Sequence, residues 1–320
     1  MASRFKLSAP DPLILMILGA VILAIIVPAR GEFADGFSVA TKIAIAFLFF
    51  LYGARLSPQE AMAGLKNWKL HSSILAFTYV LFPIVGLLMW PLQHVIGQEL
   101  YLGLLFMSLV PSTVQSSVTF TSVARGNVAG AVVAASASNL LGVVITPLLV
   151  MLLMRSDHVA ISGDVFINVA VQLLLPFVLG QLLRKWAAPF AKNKLTKNID
   201  RLSIAMVVYS AFSEGVVDGI WARVSIPQLI ALIIINVVLV EVMLWLTNFV
   251  GKKLGFDRPD RIAMQFCGTK KSLATGLPMA VIIFGGASVG LLILPLMLFH
   301  QVQLMICAAR ASRYARQLEA

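Results

Sequence analysis

The chain has 320 residues, of which 59% are hydrophobic and 12% are charged, and its formal net charge is +11. Soluble globular domains are roughly 45–50% apolar and about 25% charged, so this composition excludes an ordinary soluble fold and indicates a protein embedded in lipid. The basic residues are scattered over short loops, which argues against a nucleic-acid-binding surface. Cys267 and Cys307 lie in apolar stretches and have neither disulfide nor metal-ligand spacing.

Ten apolar stretches follow one another along the chain, each near the length of about 20 residues that a transmembrane helix requires. The first has no small-residue cleavage site and further spans follow it, so we interpret it as a retained helix rather than a signal peptide. The second is short and is expected to extend outward through Phe37. The predicted spans are 13–29, 40–54, 72–92, 100–123, 127–154, 166–186, 201–217, 226–251, 260–284 and 289–312.

The distribution of Lys and Arg predicts the orientation of these spans, because cytoplasmic loops carry an excess of basic residues. Most basic residues fall on the side of the membrane where the N-terminus lies. The exceptions are Arg30, Lys42, Arg155 and Arg223 on the opposite side, and Lys270 and Lys271 inside the ninth span. Both termini are therefore predicted to be cytoplasmic.

The ten spans divide into two sets of five, and because five is odd, the second set enters the membrane inverted relative to the first. Inverted repeats are a transporter architecture that places binding sites near the bilayer midplane. VPSTVQSS (110–117) in the fourth span resembles FCGTKKS (266–272) in the ninth, since both place Thr and Ser three residues apart. A late proline in the fifth and tenth spans is a second, weaker similarity.

Both polar motifs predict an interrupted helix. Pro111 has no N–H to donate and disfavours helix in the residue before it, and Gly268, Gly276 and Pro278 loosen the ninth span. Backbone groups freed in a membrane persist only where they face protein, water or a ligand. Two interpretations stay open: the polar side chains satisfy the freed backbone, or they line a solute site where two unwound segments cross. The candidates are Ser112, Thr113, Gln115, Ser116, Ser117, Gly268, Thr269 and Ser272.

At these motifs the chain resembles the bile acid:sodium symporter family (solute carrier family 10), most closely its bacterial YfeH-type branch. The resemblance runs from residue 11 to 305. FCGTKKS and YSAFSE are specific to the branch, whereas ARGNVA also fits the wider family. Other matching segments are DPLILMILGAVILAIIVPARG, VPSTVQSSVTFTS, SASNLLG, QLLLPFVLGQLLR, VVYSAFSEGVVDGIW and LPLMLFHQVQLM.

The resemblance implies an all-α polytopic membrane protein of ten helices, in which the fourth and ninth are broken and crossed and a core unit moves against a panel unit. The panel would comprise 1–71 and 161–224, and the core 72–160 and 225–320. The implied location is a bacterial inner membrane, and the implied function is secondary active transport of a small organic anion. No cofactor is predicted, and the coupling ion is left open between sodium and a proton.

The sodium ligands of the family carry over poorly. By the resemblance, the acidic ligand of the ninth-helix break falls on Phe266, and the two amide residues after it fall on Lys270 and Lys271. Further ligand positions fall on or near Thr78, Ser117, Ala131 and Ala135. Sodium needs oxygen ligands, and at these positions the chain has lost a carboxylate and gained two ammonium groups. This difference argues against two sodium sites of the family type. A remnant sodium site would draw on Ser116, Ser117, Ser136, Ser138 or Asn139.

Lys270 and Lys271 need partners, because a charge at bilayer depth costs about 2.5–3.5 kcal/mol on insertion scales. Three hypotheses remain open. A lysine replaces the cation of sodium-coupled relatives, pairs with an anionic substrate, or forms a structural ion pair with an acid inside the membrane. The candidate acids are Glu214 and Glu241; a plainer interpretation pairs Glu241 with Lys252 or with a lysine of the break. A Glu–Lys pair at this depth would also be able to pass a proton during transport.

His300 and Gln303 lie three residues apart near the end of the tenth span, hence on one helical face, and are the last candidates for the site. An enzyme is not predicted, because the sequence contains no HExxH motif, no P-loop and no paired catalytic aspartates. A channel needs a continuous polar pore, whereas these polar residues cluster at two segments. The alternative function that remains is a membrane regulator or scaffold that affects ion homeostasis without transporting a solute.

Overall fold

The computed structural model describes residues 12–55, 67–154, 170–285 and 289–317. Within these ranges the regular structure is entirely helical. Five helices are long and apolar enough to cross a membrane by length and composition: Gly31–Arg55, Trp68–Leu88, Val128–Leu153, Ile226–Lys253 and Val289–Arg316. The protein is therefore an all-α, multi-pass membrane protein.

The helices are numbered here in chain order. They are α1 (Pro12–Ile26), α2 (Gly31–Arg55), α3 (Trp68–Leu88), α4 (Gln98–Leu109), α5 (Gln115–Val123), α6 (Val128–Leu153), α7 (Ala170–Leu182), α8 (Arg184–Ala191), α9 (Lys194–Val217), α10 (Ile226–Lys253), α11 (Arg258–Thr269), α12 (Leu273–Phe284) and α13 (Val289–Arg316). Short helical turns at Trp90–Leu92 and Gln93–Ile96 connect α3 to α4, and one at Ile220–Arg223 connects α9 to α10.

The helix bounds extend several of the predicted spans. α2 begins at Gly31, nine residues before the predicted start at residue 40 and beyond Phe37. α9 begins at Lys194 rather than at residue 201. Part of the sixth predicted span, residues 166–169, lies outside the described residues. A polar or charged first turn hides such extensions from a hydropathy pattern, because that turn projects beyond the apolar layer.

Side-chain packing divides the described helices into two groups. α2 packs against α7, α8 and α9, and α1 packs against α9. In the second group, α4 and α10 both pack against α13, while α11 packs against α3, α5, α6 and α10. α9 bridges the groups through contacts with α12 and α13. Each group is packed internally, and a cavity lies between the two.

Large apolar side chains cover the outer faces of both groups. Ile25 on α1, Leu88 on α3, Leu152 on α6 and Ile234 on α10 are all more than half exposed. Soluble monomers rarely expose contiguous apolar surface on this scale, whereas a bilayer solvates it at no cost. The exposed side chains thus mark the lipid-facing surface.

Two glycines allow α2 and α7 to cross at backbone distance. A Cβ added at Gly53 would collide with the carbonyl of Phe177, and a Cβ added at Gly180 would collide with the carbonyl of Phe50. Small residues at a helix crossing are the usual basis of close packing in membranes. The reciprocal pair therefore fixes how the first group of helices holds together.

We expect Gly180→Leu to destabilise the protein by about 1–3 kcal/mol or more, because the added side chain must push two backbones apart. Gly19→Leu on α1 is the matched control, since a Cβ there meets nothing within 4 Å. The thermal unfolding midpoint of both purified variants measures the difference. Equal midpoints would show that the α2–α7 crossing tolerates a side chain.

Candidate functional site

Two of the predicted spans, the fourth and the ninth, are each divided into two helices at the polar motifs. α4 ends at Leu109 and α5 begins at Gln115, with Val110 in an extended conformation between them. α11 ends at Thr269 and α12 begins at Leu273, again with extended backbone at Lys270 and Ser272. Each interruption leaves helix-end N–H and C=O groups that need other partners.

The two interruptions contact each other directly. The N–H of Ser272 donates to the carbonyl of Pro111 at 2.7 Å. The hydroxyl of Ser112 donates to the carbonyl of Cys267 at 2.6 Å, and the hydroxyl of Ser117 donates to the carbonyl of Phe266 at 3.0 Å. The hydroxyls of Ser112 and Ser117 thus satisfy backbone carbonyls of α11.

α6 holds both interruptions in register. The hydroxyl of Ser138 accepts from the N–H of Ser112 at 3.0 Å, and the side-chain amide of Asn139 donates to the carbonyl of Ser112. The amide oxygen of Asn139 accepts from the hydroxyl of Thr275 in α12 at 2.7 Å. Asn139 therefore connects one break to the other through a single side chain.

Gln303 of α13 clamps the second interruption. Its Oε1 accepts from the N–H of Lys271 and its Nε2 donates to the carbonyl of Lys271, both at 2.9 Å. This pairing settles which end of the amide is nitrogen. The same Nε2 lies 2.9 Å from Nδ1 of His300 and must donate to it, so the proton of the neutral His300 ring is on Nε2.

The ammonium of Lys271 is surrounded by backbone carbonyls. Its Nζ donates to the carbonyls of Ser108 at 2.7 Å, Val110 at 2.9 Å and Thr78 at 3.0 Å. The ring of Phe82 lies 4.3 Å from the same atom. All three donors of the ammonium are used, and the side chain is completely buried.

The neighbouring Lys270 has a different environment. Its side chain is also completely buried, but its Nζ has no hydrogen-bond acceptor among the described residues. Its Nζ lies 3.8 Å from the centroid of the Phe120 ring, a cation–π geometry. The two adjacent lysines therefore differ in the one respect that matters for a buried ammonium, the supply of acceptors.

A cavity of about 630 Å³ lies between the two groups of helices. One wall comes from α1, α2, α7, α8 and α9, and the other from α5, α6, α12 and α13. Polar residues of the interruptions and of their supports face it: Thr113, Gln115, Ser116, Ser136, Asn139, Ser272, Thr275 and His300. Three basic residues and one acidic residue also line it, namely Arg55, Lys192, Arg201 and Asp200.

Comparison with known proteins identifies the family. A profile described as the SBF-like CPA transporter family matches residues 11–316. The chain belongs to the SBF-like CPA transporter family. It is a transporter-family membrane protein and not an enzyme, and the resemblance found in its sequence is confirmed.

Two relatives of this SBF-like transporter align over nearly its whole length, and a third aligns over most of it. It is 46% identical to "Uncharacterized protein PA2026" of Pseudomonas aeruginosa over 96% of this chain and 94% of the relative. It is 45% identical to "Putative symporter YfeH" of Escherichia coli over 97% and 94%. It is 28% identical to "Sodium/bile acid cotransporter 7" of Xenopus tropicalis over 83% and 79%.

Two expected partners of the lysines are wrong for this SBF-like transporter. Glu241 forms an ion pair with Arg310, not with Lys252 or a lysine of the break. Glu214 is exposed near the end of α9, and in the described parts of the chain it forms no ion pair with Lys270 or Lys271. The long side chain of Arg310, in the C-terminal part of α13, reaches Glu241 and pairs with it.

The remaining predicted residues fall into three places. Thr113, Ser116 and Ser117 form a hydroxyl cluster, with the Thr113 hydroxyl 2.6 Å from that of Ser116 and 3.1 Å from that of Ser117. Gly268 packs under Thr247 and Phe77, where a side chain would be tight. The buried Thr269 hydroxyl has no hydrogen-bond partner among the described residues. A remnant sodium site at the hydroxyl cluster stays a prediction.

The sequence interpretation missed several contributors. Thr275 has a detectable signal, since it lies three residues after Ser272, whose hydroxyl caps α12 by accepting from the Thr275 N–H. Ser108 contributes its carbonyl, which every residue carries, so no side chain marks it; Thr78, which the resemblance places at a family ligand position, likewise contributes its carbonyl. Arg55 and Arg201 reach the cavity from helix ends that are far away in sequence.

Proposed function

We propose that this protein is a secondary active transporter that moves a small organic anion across the membrane by alternating access. The observation that carries the proposal is the cavity between the two groups of helices. Residues of both interruptions line it and form its floor (Thr113, Val114 and Ser272), and three basic residues form its rim (Arg55, Lys192 and Arg201). Its volume of about 630 Å³ lies within the usual range for small-molecule sites, roughly 300–1,000 Å³.

The charges around the cavity favour an anion. Lys192 is exposed, and Arg201 is only partly buried and bonded to Asn198 at 3.3 Å. Arg55 already makes a bidentate ion pair with Asp200 and donates to the carbonyl of Ala191. The lining thus retains an excess of positive charge after the ion pair is counted.

Helix ends at the cavity floor support the same preference. α12 begins at Leu273 and α5 at Gln115, and both helix N-termini lie at the cavity. First-turn N–H groups have no partners within their own helix, and the positive end of a helix dipole attracts negative charge. We place the anionic group of the solute between these two ends, within reach of the Thr113, Ser116 and Ser272 hydroxyls.

The architecture in this proposal is the ten-span inverted repeat. α4–α5 and α11–α12 are the broken fourth and ninth spans, and their mutual hydrogen bonds make them the crossing pair. α1, α2 and α7–α9 form the panel, and the other helices form the core. The basic rim is cytoplasmic, so the cavity opens inward in this state of a bacterial inner-membrane protein. Outward opening requires the core to move against the panel, and the contacts of α9 with α12 and α13 change in that movement.

The proposal is tested by counterflow in proteoliposomes. Vesicles preloaded with one organic anion should accumulate its labelled form, and the same anion should raise the unfolding midpoint of the purified protein in proportion to its binding. A panel of carboxylates and sulfates of graded size identifies the class. Absence of counterflow and of stabilisation across the panel would favour a regulatory or scaffold role instead.

The rim charges supply a more specific prediction. We expect Arg201→Gln to raise the KM for the anion about threefold, which corresponds to the loss of one partly exposed charge interaction of about 0.7 kcal/mol. Lys252→Gln, at the end of α10 and away from the cavity lining, is the control and should leave KM unchanged. The difference should shrink at high ionic strength. A larger KM in the control than in Arg201→Gln would contradict an electrostatic role of the rim.

A further inference from the structure

The three carbonyls around the Lys271 ammonium have a common origin, because each has lost its helical partner. In a π turn, the carbonyl of Thr78 would bond five residues ahead, but residue 83 is a proline without an N–H. The N–H of Phe82 is used by Phe77. The carbonyl of Thr78 is therefore free to accept from Lys271.

The second and third carbonyls are freed at the end of α4. The carbonyl of Ser108 would bond four residues ahead, but the N–H of Ser112 donates to Ser138 instead. Pro111, three residues ahead, has no N–H. Val110 lies in the extended interruption, outside any helical ladder. Three neutral oxygens thus converge on one point from two separate segments of chain.

Such a cage of carbonyls is a site for a monovalent cation. Backbone carbonyl oxygens replace the hydration shell of alkali cations in membrane proteins, and they need no carboxylate to do so. Here the cation is an ammonium with three donors for three acceptors, and no carboxylate of the described residues contacts it. A sodium ion does not fit at this point of the protein, because the Lys271 amine already occupies it.

We propose that Lys271 is a cation built into the chain, which permanently fills a monovalent-cation site formed by the carbonyls of Thr78, Ser108 and Val110. The carbonyls that an exchangeable cation would otherwise have to coordinate are held together by the protein's own side chain. The consequence for transport, that the cycle needs no sodium ion at this site, rests on the proposed function. The existence of the site does not rest on the proposed function.

Lys270 supplies the internal comparison. It is adjacent in sequence and equally buried, but it lies over the Phe120 ring and has no carbonyl acceptor among the described residues. Removing its amine therefore leaves no oxygen cage behind. A new cation site should appear only when the amine of Lys271 is removed, and this asymmetry is what the experiment measures.

The experiment compares wild type, Lys271→Ala and Lys270→Ala in nanodiscs, in sodium chloride and in choline chloride at equal ionic strength. We expect the unfolding midpoint of Lys271→Ala to rise with sodium concentration until saturation, as for a ligand that binds only the folded state. Wild type and Lys270→Ala should show no difference between the two salts. Methylammonium should also stabilise Lys271→Ala, whereas tetramethylammonium, which has no N–H to donate, should not.

Two results would overturn the proposal. One is an identical midpoint of Lys271→Ala in sodium and choline at every concentration. The other is a rise of the Lys270→Ala midpoint with sodium equal to that of Lys271→Ala, which would place the sodium effect away from the carbonyl cage. Should Lys271→Ala fail to fold in choline chloride, refolding in sodium or methylammonium chloride decides, because recovery of the folded protein there supports the proposal and no recovery overturns it. These readouts require no transported solute, so a failed counterflow assay would remove the proposed function and leave this test intact.

Discussion

Lys271→Met is expected to lower the free energy of unfolding by about 3 kcal/mol or more, because three buried carbonyls lose charge-assisted donors. Methionine keeps a similar length and apolar stem, so the change removes the amine with little loss of packing. A drop in the thermal unfolding midpoint of the purified protein measures the effect. We expect it to exceed the effect of any other single substitution proposed here at the interruptions.

Lys270→Met is the matched control for this substitution. Its amine loses only the contact with the Phe120 ring, which is worth roughly 0.5–2 kcal/mol, and the cost of burying a charge disappears at the same time. The two terms oppose each other, so the midpoint should change little or rise. Similar losses in both variants would mean that burial of the side chain, rather than its hydrogen bonds, determines the role of these lysines.

Gln303→Ala should reduce the rate of anion counterflow by roughly tenfold or more, while the variant still folds. The side chain makes both hydrogen bonds that hold the backbone of Lys271, and through its Nε2 it also orients His300 at the cavity. In enzyme sites, a displacement of about 1 Å costs roughly a hundredfold, and a solute site positioned by one clamp is open to the same loss. Initial rates at saturating solute measure it.

Two further variants separate the clamp from a general effect on α13. Gln301→Ala, two residues away and only partly buried, forms none of these bonds and should transport at the wild-type rate. Gln303→Glu should transport at low pH and lose activity as pH rises. A neutral carboxyl can donate to the carbonyl of Lys271 while accepting from its N–H, and a carboxylate cannot donate. A pH profile like that of wild type would contradict the clamp.

The positions of the two interruptions were predictable because their causes are local. Pro111 removes a donor, and the glycines around Lys270 weaken the helix, so the hydropathy pattern and the breakers together placed the breaks close to residues 110–114 and 270–272. The motifs that carry these breaks also carry the family resemblance. Local backbone chemistry and recognisable motifs were therefore enough to predict the polar segments that form the floor of the cavity.

The partners of the polar groups were not predictable to the same degree. The sequence left three roles open for Lys271, and the only partners that it offered within the protein were carboxylates, because only side chains are visible in a sequence. The actual acceptors are carbonyls of Thr78, Ser108 and Val110, and their availability depends on which N–H groups are used elsewhere in the fold. Glu241 likewise forms its ion pair with Arg310, which lies 69 residues further along the sequence.

The sequence by itself determined that this is a multi-pass membrane protein of a transporter family, with two polar interruptions and two lysines within the ninth predicted span. Composition, breakers and motifs suffice for that, since each acts within one segment. Only the tertiary structure decided that Lys271 has three acceptors and that Lys270 has none among the described residues, and that Arg55, Lys192 and Arg201 line one cavity. Those facts arise where segments distant in sequence converge, and backbone carbonyls and helix ends carry no residue-specific signal of where they will meet.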